Sequence, residues 1–240
     1  PSTSFTGTAP KAQLVFQSLM DSGGGLNGIP ADLNTLFQQT YDDGARVHSN
    51  SWGADSAGLY STDSENLDEF SWNRKDMVIT FSAGNSGTDA GAGADGVINT
   101  DSIGAPATAK NCITVGATEN YRPDFVYEYP QNDCTGTATE QTSWGWFSST
   151  DFPAAPIGAD RMANNASGMG AFSSRGPTDD ARIKPDVVAP GIAIISTRTD
   201  LNQAYEQWGI CNVPVAQRPY YVNMGGTMVP KNLQQLCLSI

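Results

Sequence analysis

The stretch at residues 77–87, MVITFSAGNSG, constrains the fold more than any other part of the sequence. Residues 77–81 are apolar apart from Thr80, a pattern typical of a short strand covered on both faces in a parallel sheet. Because ligands bind beyond the carboxyl ends of such strands, Asn85 would present its amide there as a neutral hydrogen-bond donor. The alternative is a turn asparagine, since Asn and Gly both tolerate left-handed backbone.

Strand and helix patterns alternate along the rest of the chain, which predicts an α/β fold. Strand patterns lie at residues 13–20, 45–51, 111–117, 186–189 and 192–197, and the first of these is predicted to be buried. A helix is predicted for residues 30–43, with Pro30 at its first position and Gly44 as its stop. A second helix is predicted for residues 62–75, because Thr62 and Glu65 fit a capping box.

Composition limits the partners of the chain. The 240 residues carry a net charge of −12 and suit a single domain with a sizeable core. We expect neither nucleic acid nor a membrane as partner, because no basic cluster could neutralise phosphates and no run of about 18 apolar residues is present. The acidic, lysine-poor composition is common among secreted proteins. We therefore expect an extracellular protein from which any targeting segment has been removed.

The cysteine and histidine content argues against several kinds of metal site. The four cysteines allow three disulfide pairings, and their spacing matches neither a zinc site nor a redox motif. His48 is the one histidine of the sequence, so a histidine-rich site is excluded. We expect no cofactor. Calcium is the alternative, because residues 88–100 form a loop rich in Gly, Ala and Asp that offers clustered oxygens, although without EF-hand spacing. The candidate calcium ligands are Asp89, Asp95, Asn99 and Asp101.

A glycine-rich segment raises a competing hypothesis of nucleotide binding. Residues 21–28, DSGGGLNG, contain the G-x-G-x-x-G pattern between a predicted strand and a predicted helix. That fingerprint also needs an acidic residue at the end of the next strand, where it binds the ribose hydroxyls. The next strand ends in Ser49, Asn50 and Ser51 instead. The motif alone is therefore a weak indication.

Four ordered blocks resemble the subtilisin-like serine peptidases, or subtilases. They are residues 9–15 (APKAQLV) with 49–53 (SNSWG), residues 81–87 (FSAGNSG), residues 172–177 (FSSRGP) with 184–191 (KPDVVAPG), and residues 224–227 (MGGT). The similarity covers the chain from about Thr6 to Pro230 and is greatest to the oxidatively stable alkaline subtilases. It implies a three-layer α/β/α fold with a parallel sheet, incomplete at the N-terminus and after the Gly-Thr pair. Residues 1–240 would form a single partial peptidase domain, with a surface insertion at about residues 120–168.

The resemblance also implies a set of site residues and a polypeptide substrate. Asn85 would be the catalytic oxyanion donor in peptide-bond hydrolysis through an acyl-enzyme. Residues 23–25 would be an extended edge that pairs with the substrate backbone, and residues 51–53 would form a wall of the pocket for the side chain before the scissile bond. Gly104 would lie in the floor of that pocket, followed by a cis Pro106. The implied substrate-binding residues are Gly23, Gly24, Gly25, Ser51, Trp52, Gly53, Ser82, Ala83, Gly84, Gly104, Gly226 and Thr227.

The sequence departs from the family pattern at the catalytic triad. Acyl transfer needs a Ser nucleophile, a His base and an Asp that holds the His, and none of the three is assignable here. We expect the Asp and His segments upstream of Pro10, on a missing N-terminal part that would be a partner of this chain. His48 lacks the family motif and is predicted to be structural. The Ser should follow the Gly-Thr pair, yet Met228 follows Thr227 directly.

Two functions follow from this departure. The first is an active secreted endopeptidase of which this chain is a part, inactive alone, with its Ser lost near Thr227 through a mis-joined reading of the gene. The second is a pseudopeptidase that binds peptides or a protein partner without cleaving them, through residues 23–25 and 51–53. In either case missing upstream strands would leave a sheet edge and apolar surface exposed.

Overall fold

The computed structural model describes residues 9–22, 25–123, 125–126, 142–198, 208–211 and 213–227, together with the backbone of residues 235–239. The helices in these ranges are α1 Leu33–Asp42, α2 Thr62–Asn73 and α3 Trp144–Phe147. The strands are β1 Gln13–Gln17, β2 Val47–Asn50, β3 Val78–Ser82, β4 Ile113–Thr118, β5 Val187–Pro190, β6 Ile194–Thr197, β7 Tyr221–Met224 and β8 Gln235–Ser239.

The main sheet has the strand order β1-β8-β2-β3-β4-β5. The strands β2, β3, β4 and β5 are parallel neighbours, so their carboxyl ends meet at one edge of the sheet. Strand β8 lies between β1 and β2 and runs antiparallel to both. A separate two-stranded ribbon pairs β6 with β7 antiparallel. The α/β class and the parallel sheet expected from the sequence are confirmed.

The helices α1 and α2 cover one face of this sheet, and we call their shared cluster the helix-side core. Its members include Leu33, Leu36, Phe37, Leu67, Phe70, Ile79 and Phe81. Helix α1 begins at Leu33 rather than at Pro30, because the Asp32 carboxylate caps it by accepting from the Asn34 N–H at 3.0 Å. Helix α2 is capped by Ser61, one residue before the predicted cap.

The opposite face of the sheet is only partly covered in the described residues. Leu14 and Phe16 of β1 are 57% and 48% exposed, so the prediction of a buried strand at residues 13–20 is wrong for β1. Val78 of β3 is 45% exposed while the adjacent Ile79 is buried, so β3 is covered on one face rather than two. The reason is that both long helices lie over the Ile79 face, and the described ranges contain no second helical layer.

Residues 142–172 contribute to a second hydrophobic cluster, which we call the aromatic core. Trp144 is fully buried there, and its ring lies between 5.5 and 6.2 Å from those of Phe147, Phe152 and Phe172. Residues 142–168 of the predicted surface insertion are therefore packed into a core that they share with other parts of the chain, among them Ala117 and Ile192. Aromatic residues without regular spacing share this core because α3 and the turns after it bring them together. Residues 127–141 lie outside the described residues.

Buried polar contacts and cysteines complete the fold. Lys184 is buried, and its Nζ donates to Asp186 at 2.6 Å and to the Cys112 carbonyl at 3.2 Å, which fixes the chain entering β5 against the start of β4. Cys112 is free and buried. Cys211 is disulfide-bonded. The helices that the structure describes are too short or too polar to cross a membrane.

Candidate active site

Asn85 lies just beyond β3, at the edge where the parallel strands end. Its Oδ1 accepts two hydrogen bonds from Thr227, from the backbone N–H at 2.8 Å and from Oγ1 at 2.7 Å. A backbone N–H can only donate, so the atom that faces it has to be the amide oxygen. Asn85 is exposed, and its Nδ2 has no hydrogen-bond partner within the described part of the chain. The side chain is therefore a fixed amide with a free donor.

The loop around Asn85 is held by two hydroxyl side chains. The Thr227 hydroxyl, which donates to Asn85, accepts from the Gly84 N–H at 3.2 Å. The Ser174 N–H donates to the Gly84 carbonyl at 3.0 Å, and the Ser174 Oγ accepts from the Ser86 N–H at 3.0 Å. Gly84 has a φ of +111°, and a Cβ there would meet Ser174 Oγ at 2.7 Å, so both conformation and space favour glycine.

Two segments that follow neighbouring parallel strands are the predicted walls of the substrate pocket, and we call the predicted pocket between them the slot. Residues 51–53 follow β2, and residues 82–84 end and follow β3. Gly104 borders both segments, because its N–H donates to the Ala83 carbonyl at 3.0 Å and the next residue, Ala105, exchanges two backbone hydrogen bonds with Ala54. The predicted residues that this arrangement brings together are Ser51, Trp52, Gly53, Ser82, Ala83, Gly84 and Gly104.

Backbone atoms, rather than side chains, set the walls of the slot. A Cβ on Gly53 would meet the Ala105 carbonyl oxygen at 2.8 Å, and a Cβ on Gly104 would meet the Ala54 carbonyl oxygen at 2.7 Å. The Ala105–Pro106 peptide bond is cis, as predicted. The Trp52 side chain is buried in the helix-side core, with its ring 5.1 Å from that of Phe81. Trp52 therefore contributes only backbone to the slot.

The remaining predicted substrate-binding residues do not share one location. Gly226 adjoins Thr227, and its N–H donates to the Gly191 carbonyl at 2.9 Å. Gly25 already uses both of its backbone groups, because its N–H donates to Asp21 Oδ1 at 2.8 Å and its carbonyl accepts from the Asp21 N–H at 2.9 Å. No free edge for peptide pairing is therefore seen at Gly25. Gly23 and Gly24 lie outside the described residues.

The surroundings of His48 do not suit a general base. It lies within β2 and is fully buried, with its ring in edge contact with Phe37 at 5.0 Å. Its Nδ1 faces the Asn50 amide nitrogen at 3.0 Å, so Nδ1 accepts and Nε2 carries the proton toward Gln17 Oε1 at 3.3 Å. Burial lowers the pKa of His48 to about 3 and outweighs the hydrogen bond from Asn50. The prediction of a structural histidine is confirmed.

A space of about 460 Å³ is bordered by Asn85 and the residues that follow it, and we call it the cavity. Its lining shares no residue with the slot. Four aromatic residues, Phe147, Phe152, Phe172 and Trp208, and two acidic residues, Asp55 and Asp151, contribute to its walls. Sequence reasoning missed all six as site residues. Only Phe172 stands within a recognised block, and the other five carry no motif because the fold alone brings them together.

The candidate calcium ligands are not gathered into a site. The Asp89 carboxylate is buried and accepts from the backbone N–H groups of Asp95 at 3.0 Å and Gly96 at 2.9 Å. Asp89 thereby closes its own loop. Among the residues that the structure describes, no group of three or more His, Cys, Asp or Glu side chains is arranged to hold a metal ion.

Comparison with known proteins gives both curated relatives and a structural neighbour. The chain is 32% identical over 251 residues to the serine protease/ABC transporter B family protein tagB of Dictyostelium discoideum, covering 89% of this chain and 12% of that protein. It is 30% identical over 249 residues to tagD of the same organism, covering 88% of this chain and 13% of that protein. The chain therefore spans only a small part of these relatives. The structure of the prenylagaramide maturation protease PagA matches 82% of this chain and 43% of its own, with a TM-score of 0.40 and 14% identity.

A family-level comparison covers almost the whole sequence. The family model of peptidase S8, described as the subtilase family, matches residues 1–227 of the 240. The match includes the strands β2 to β5 and ends at Thr227, the residue that fixes the Asn85 amide. This chain belongs to the subtilase family.

Proposed function

We propose that this chain is the substrate-binding and oxyanion-stabilising part of a subtilisin-like serine endopeptidase, in one partial peptidase domain. The observation that carries the proposal is the Asn85 amide, whose oxygen is held by Thr227 while its Nδ2 is left free. Acyl transfer builds negative charge on the former carbonyl oxygen, and a preorganised donor stabilises that charge in the transition state. The two hydrogen bonds from Thr227 hold the donor before the reaction begins.

The slot supports a polypeptide as the substrate. Ala54, next to the first wall, pairs with Ala105 through the backbone, and Ala83 of the second wall pairs with Gly104, so the shape of the slot does not depend on mobile side chains. Asn85 follows directly on the second wall. One substrate side chain in the slot would thus bring the adjoining carbonyl group to the Asn85 donor, which fixes the bond to be cleaved.

The proposal assigns the nucleophile and the base to residues outside this sequence. Burial and a pKa of about 3 remove His48 as a base for a serine hydroxyl near neutral pH. The Ser is proposed to stand between Thr227 and Met228 of the natural protein, and the Asp and His on a part that precedes Pro10 and pairs with this chain. The exposed Leu14 and Phe16 of β1 support such a covering part. A genomic read across the Thr227–Met228 junction without a serine codon there would contradict the placement of the nucleophile.

Removal of the Asn85 amide tests the proposed chemistry. In the natural full-length protein, we expect Asn85→Ala to lower kcat for a fluorogenic peptide by about a hundredfold to a thousandfold, the loss that removing one such donor causes in subtilisin. KM should change little, because the donor acts on the transition state. Asn73→Ala, at an exposed asparagine on α2, is the matched control. An unchanged kcat in the Asn85 variant would remove Asn85 from the mechanism.

One sequence feature favours a second candidate, a pseudopeptidase that binds peptides without cleaving them. Met228 follows Thr227 where the family places its nucleophile. This function predicts saturable peptide binding by calorimetry, with every peptide recovered intact by mass spectrometry. Cleavage of the bound peptide by the natural protein would contradict it.

We also propose that the natural protein is extracellular. The disulfide at Cys211 supports this, because disulfides persist in oxidising compartments. Mass spectrometry of washed cells and of the culture medium tests the location. Peptides of this chain found only in the cell fraction would contradict it.

A further inference from the structure

We infer that the cavity beside Asn85 binds the side chain of a basic residue, Arg or Lys, of an extended peptide. The inference rests on the proposed function, because Asn85 locates the carbonyl group that reacts. The slot ends at Gly84, whereas the cavity is lined by Asn85 and the residues that follow it. A peptide with one side chain in the slot would therefore offer the cavity a residue from the other side of that carbonyl.

The cavity walls suit the stem and the head of a long cationic side chain. The Trp208 ring lies 6.2 Å from that of Phe172 and 5.9 Å from that of Phe147, so the rings that line the cavity pack against one another. Aliphatic stems bury well against such rings, and a guanidinium or ammonium group is attracted to their faces. Trp208 is also fixed in place, because a Cβ on Gly225 would overlap its ring.

Two carboxylates give the cavity its charge. Asp55 accepts a hydrogen bond from the Ser86 hydroxyl, and Asp151 accepts one from the Ser148 hydroxyl at 2.7 Å. Both aspartates are exposed, and neither forms an ion pair with a described Lys or Arg. A cationic side chain would therefore gain partners that are not already occupied, and an acidic one would be repelled.

Hydrogen bonds join the backbone of Asp151 to the loop that follows Asn85. The Asp151 carbonyl accepts from the Asp89 N–H at 2.8 Å and from the Thr88 hydroxyl at 3.0 Å. Thr88 itself lines the cavity. The backbone of Asp151 is thus tied to the loop that follows Asn85, which places an acidic residue on this side of the site.

A pair of peptides tests the inference on the natural full-length protein, with any serine that follows Thr227 replaced by alanine so that the peptides stay intact. The probes are acetyl-Ala-Ala-Leu-Lys-Ala-Ala-amide and the same peptide with norleucine for lysine, which keeps the stem and removes the charge. We expect the lysine peptide to bind about tenfold more tightly by calorimetry at low salt, and the ratio to shrink toward about threefold in 0.5 M salt. The tryptophan fluorescence of the protein should change on binding of both peptides, because both stems come close to Trp208 in the cavity.

Variants locate the preference in the cavity. The double variant Asp55→Asn with Asp151→Asn should bind the two peptides with equal affinity, whereas Asp43→Asn, at an exposed aspartate after α1, should keep the tenfold ratio. Equal affinities in the unmodified chain would overturn the basic preference but leave peptide binding intact. A ratio that persists in the double variant would overturn the cavity as its location. Binding of neither peptide would overturn the proposed function together with this inference.

Discussion

The predicted slot before Asn85 in the chain and the cavity that Asn85 borders are built in different ways. The slot is walled by backbone, with glycines at positions where a Cβ would meet a carbonyl oxygen within 2.8 Å. The cavity is walled by side chains, four of them aromatic and two of them acidic. A backbone wall tolerates little change in sequence, whereas a side-chain wall can be altered without moving the fold. The difference suggests that the slot preserves the family geometry and that the cavity sets the preference of this chain.

The strongest test of this contrast is a single methyl group in the slot. Gly104→Ala would place a Cβ 2.7 Å from the Ala54 carbonyl oxygen, which is backbone and cannot rotate away. We expect a loss of about 3 kcal/mol in the free energy of unfolding, measured by urea denaturation. Gly93→Ala is the control, because a Cβ there has no neighbour within 4 Å. Equal stability of the two variants would refute a rigid backbone wall.

We expect the protein to lose stability in acid because His48 is buried against the helix-side core. Its folded pKa of about 3 lies below the ordinary histidine pKa of 6.5, so the unfolded chain takes up the proton first as the pH falls. The stabilising contribution is complete above pH 6.5 and is lost between pH 6.5 and 3. From pH 6.5 to 5 we expect a fall of about 2 kcal/mol in the free energy of unfolding. His48→Gln should flatten this part of the pH profile, and an equally steep profile would count against the assignment.

We expect Glu119, which bonds to Trp144 of the aromatic core, to change the free energy of unfolding with pH in the opposite direction. Burial raises the pKa of Glu119 above 4.5, although the N–H groups of Asn165 and Asn164 and the Trp144 indole donate to its carboxylate. The neutral acid is therefore favoured in the folded state, and stability falls as the pH rises from 4.5 through the folded pKa. We expect a smaller slope than that of His48, because these hydrogen bonds favour the charged form. Glu119→Gln should remove the slope, and a profile that is unchanged would contradict this sign.

The smallest effect is expected for a conservative change in the cavity wall. Trp208→Phe keeps an aromatic ring but enlarges the space next to Gly225, so we expect a loss of less than about 1.5 kcal/mol in thermal unfolding. Peptide affinity should change more than stability, because the ring lies on the cavity. A loss as large as that of Gly104→Ala would mean that the cavity wall is as constrained as the slot.

The parts of the structure that could be predicted from the sequence are those in which the backbone dictates the residue. The strand at residues 77–81 and the glycines beside Asn85 carried enough information to indicate a parallel sheet and a donor at its edge. The chain turns at Gly44, where φ is +92°, and at Gly84, where φ is +111°. Residues other than glycine rarely adopt these φ values, so a glycine in the sequence indicates where the chain turns.

The parts that could not be predicted depend on contacts between distant residues. The exposure of Leu14 and Phe16 follows from which face the helices cover, and the pattern of β1 alone contains no such information. The aromatic core draws on Trp144 and Trp208, which lie far apart in the sequence, so no periodicity marks it. The hydrogen bond from Thr227 to Asn85 joins residues 142 positions apart. Only the fold shows that this amide is fixed.

The central claim is that Asn85 serves a serine nucleophile in the natural protein, and labelling with a fluorophosphonate probe tests it most directly. We predict that the intact mass of the purified natural protein rises by one probe, on a serine next to Thr227, and that Asn85→Ala slows the labelling. Folded natural protein that gains no probe mass would contradict the claim and would leave peptide binding without cleavage as the function of this site.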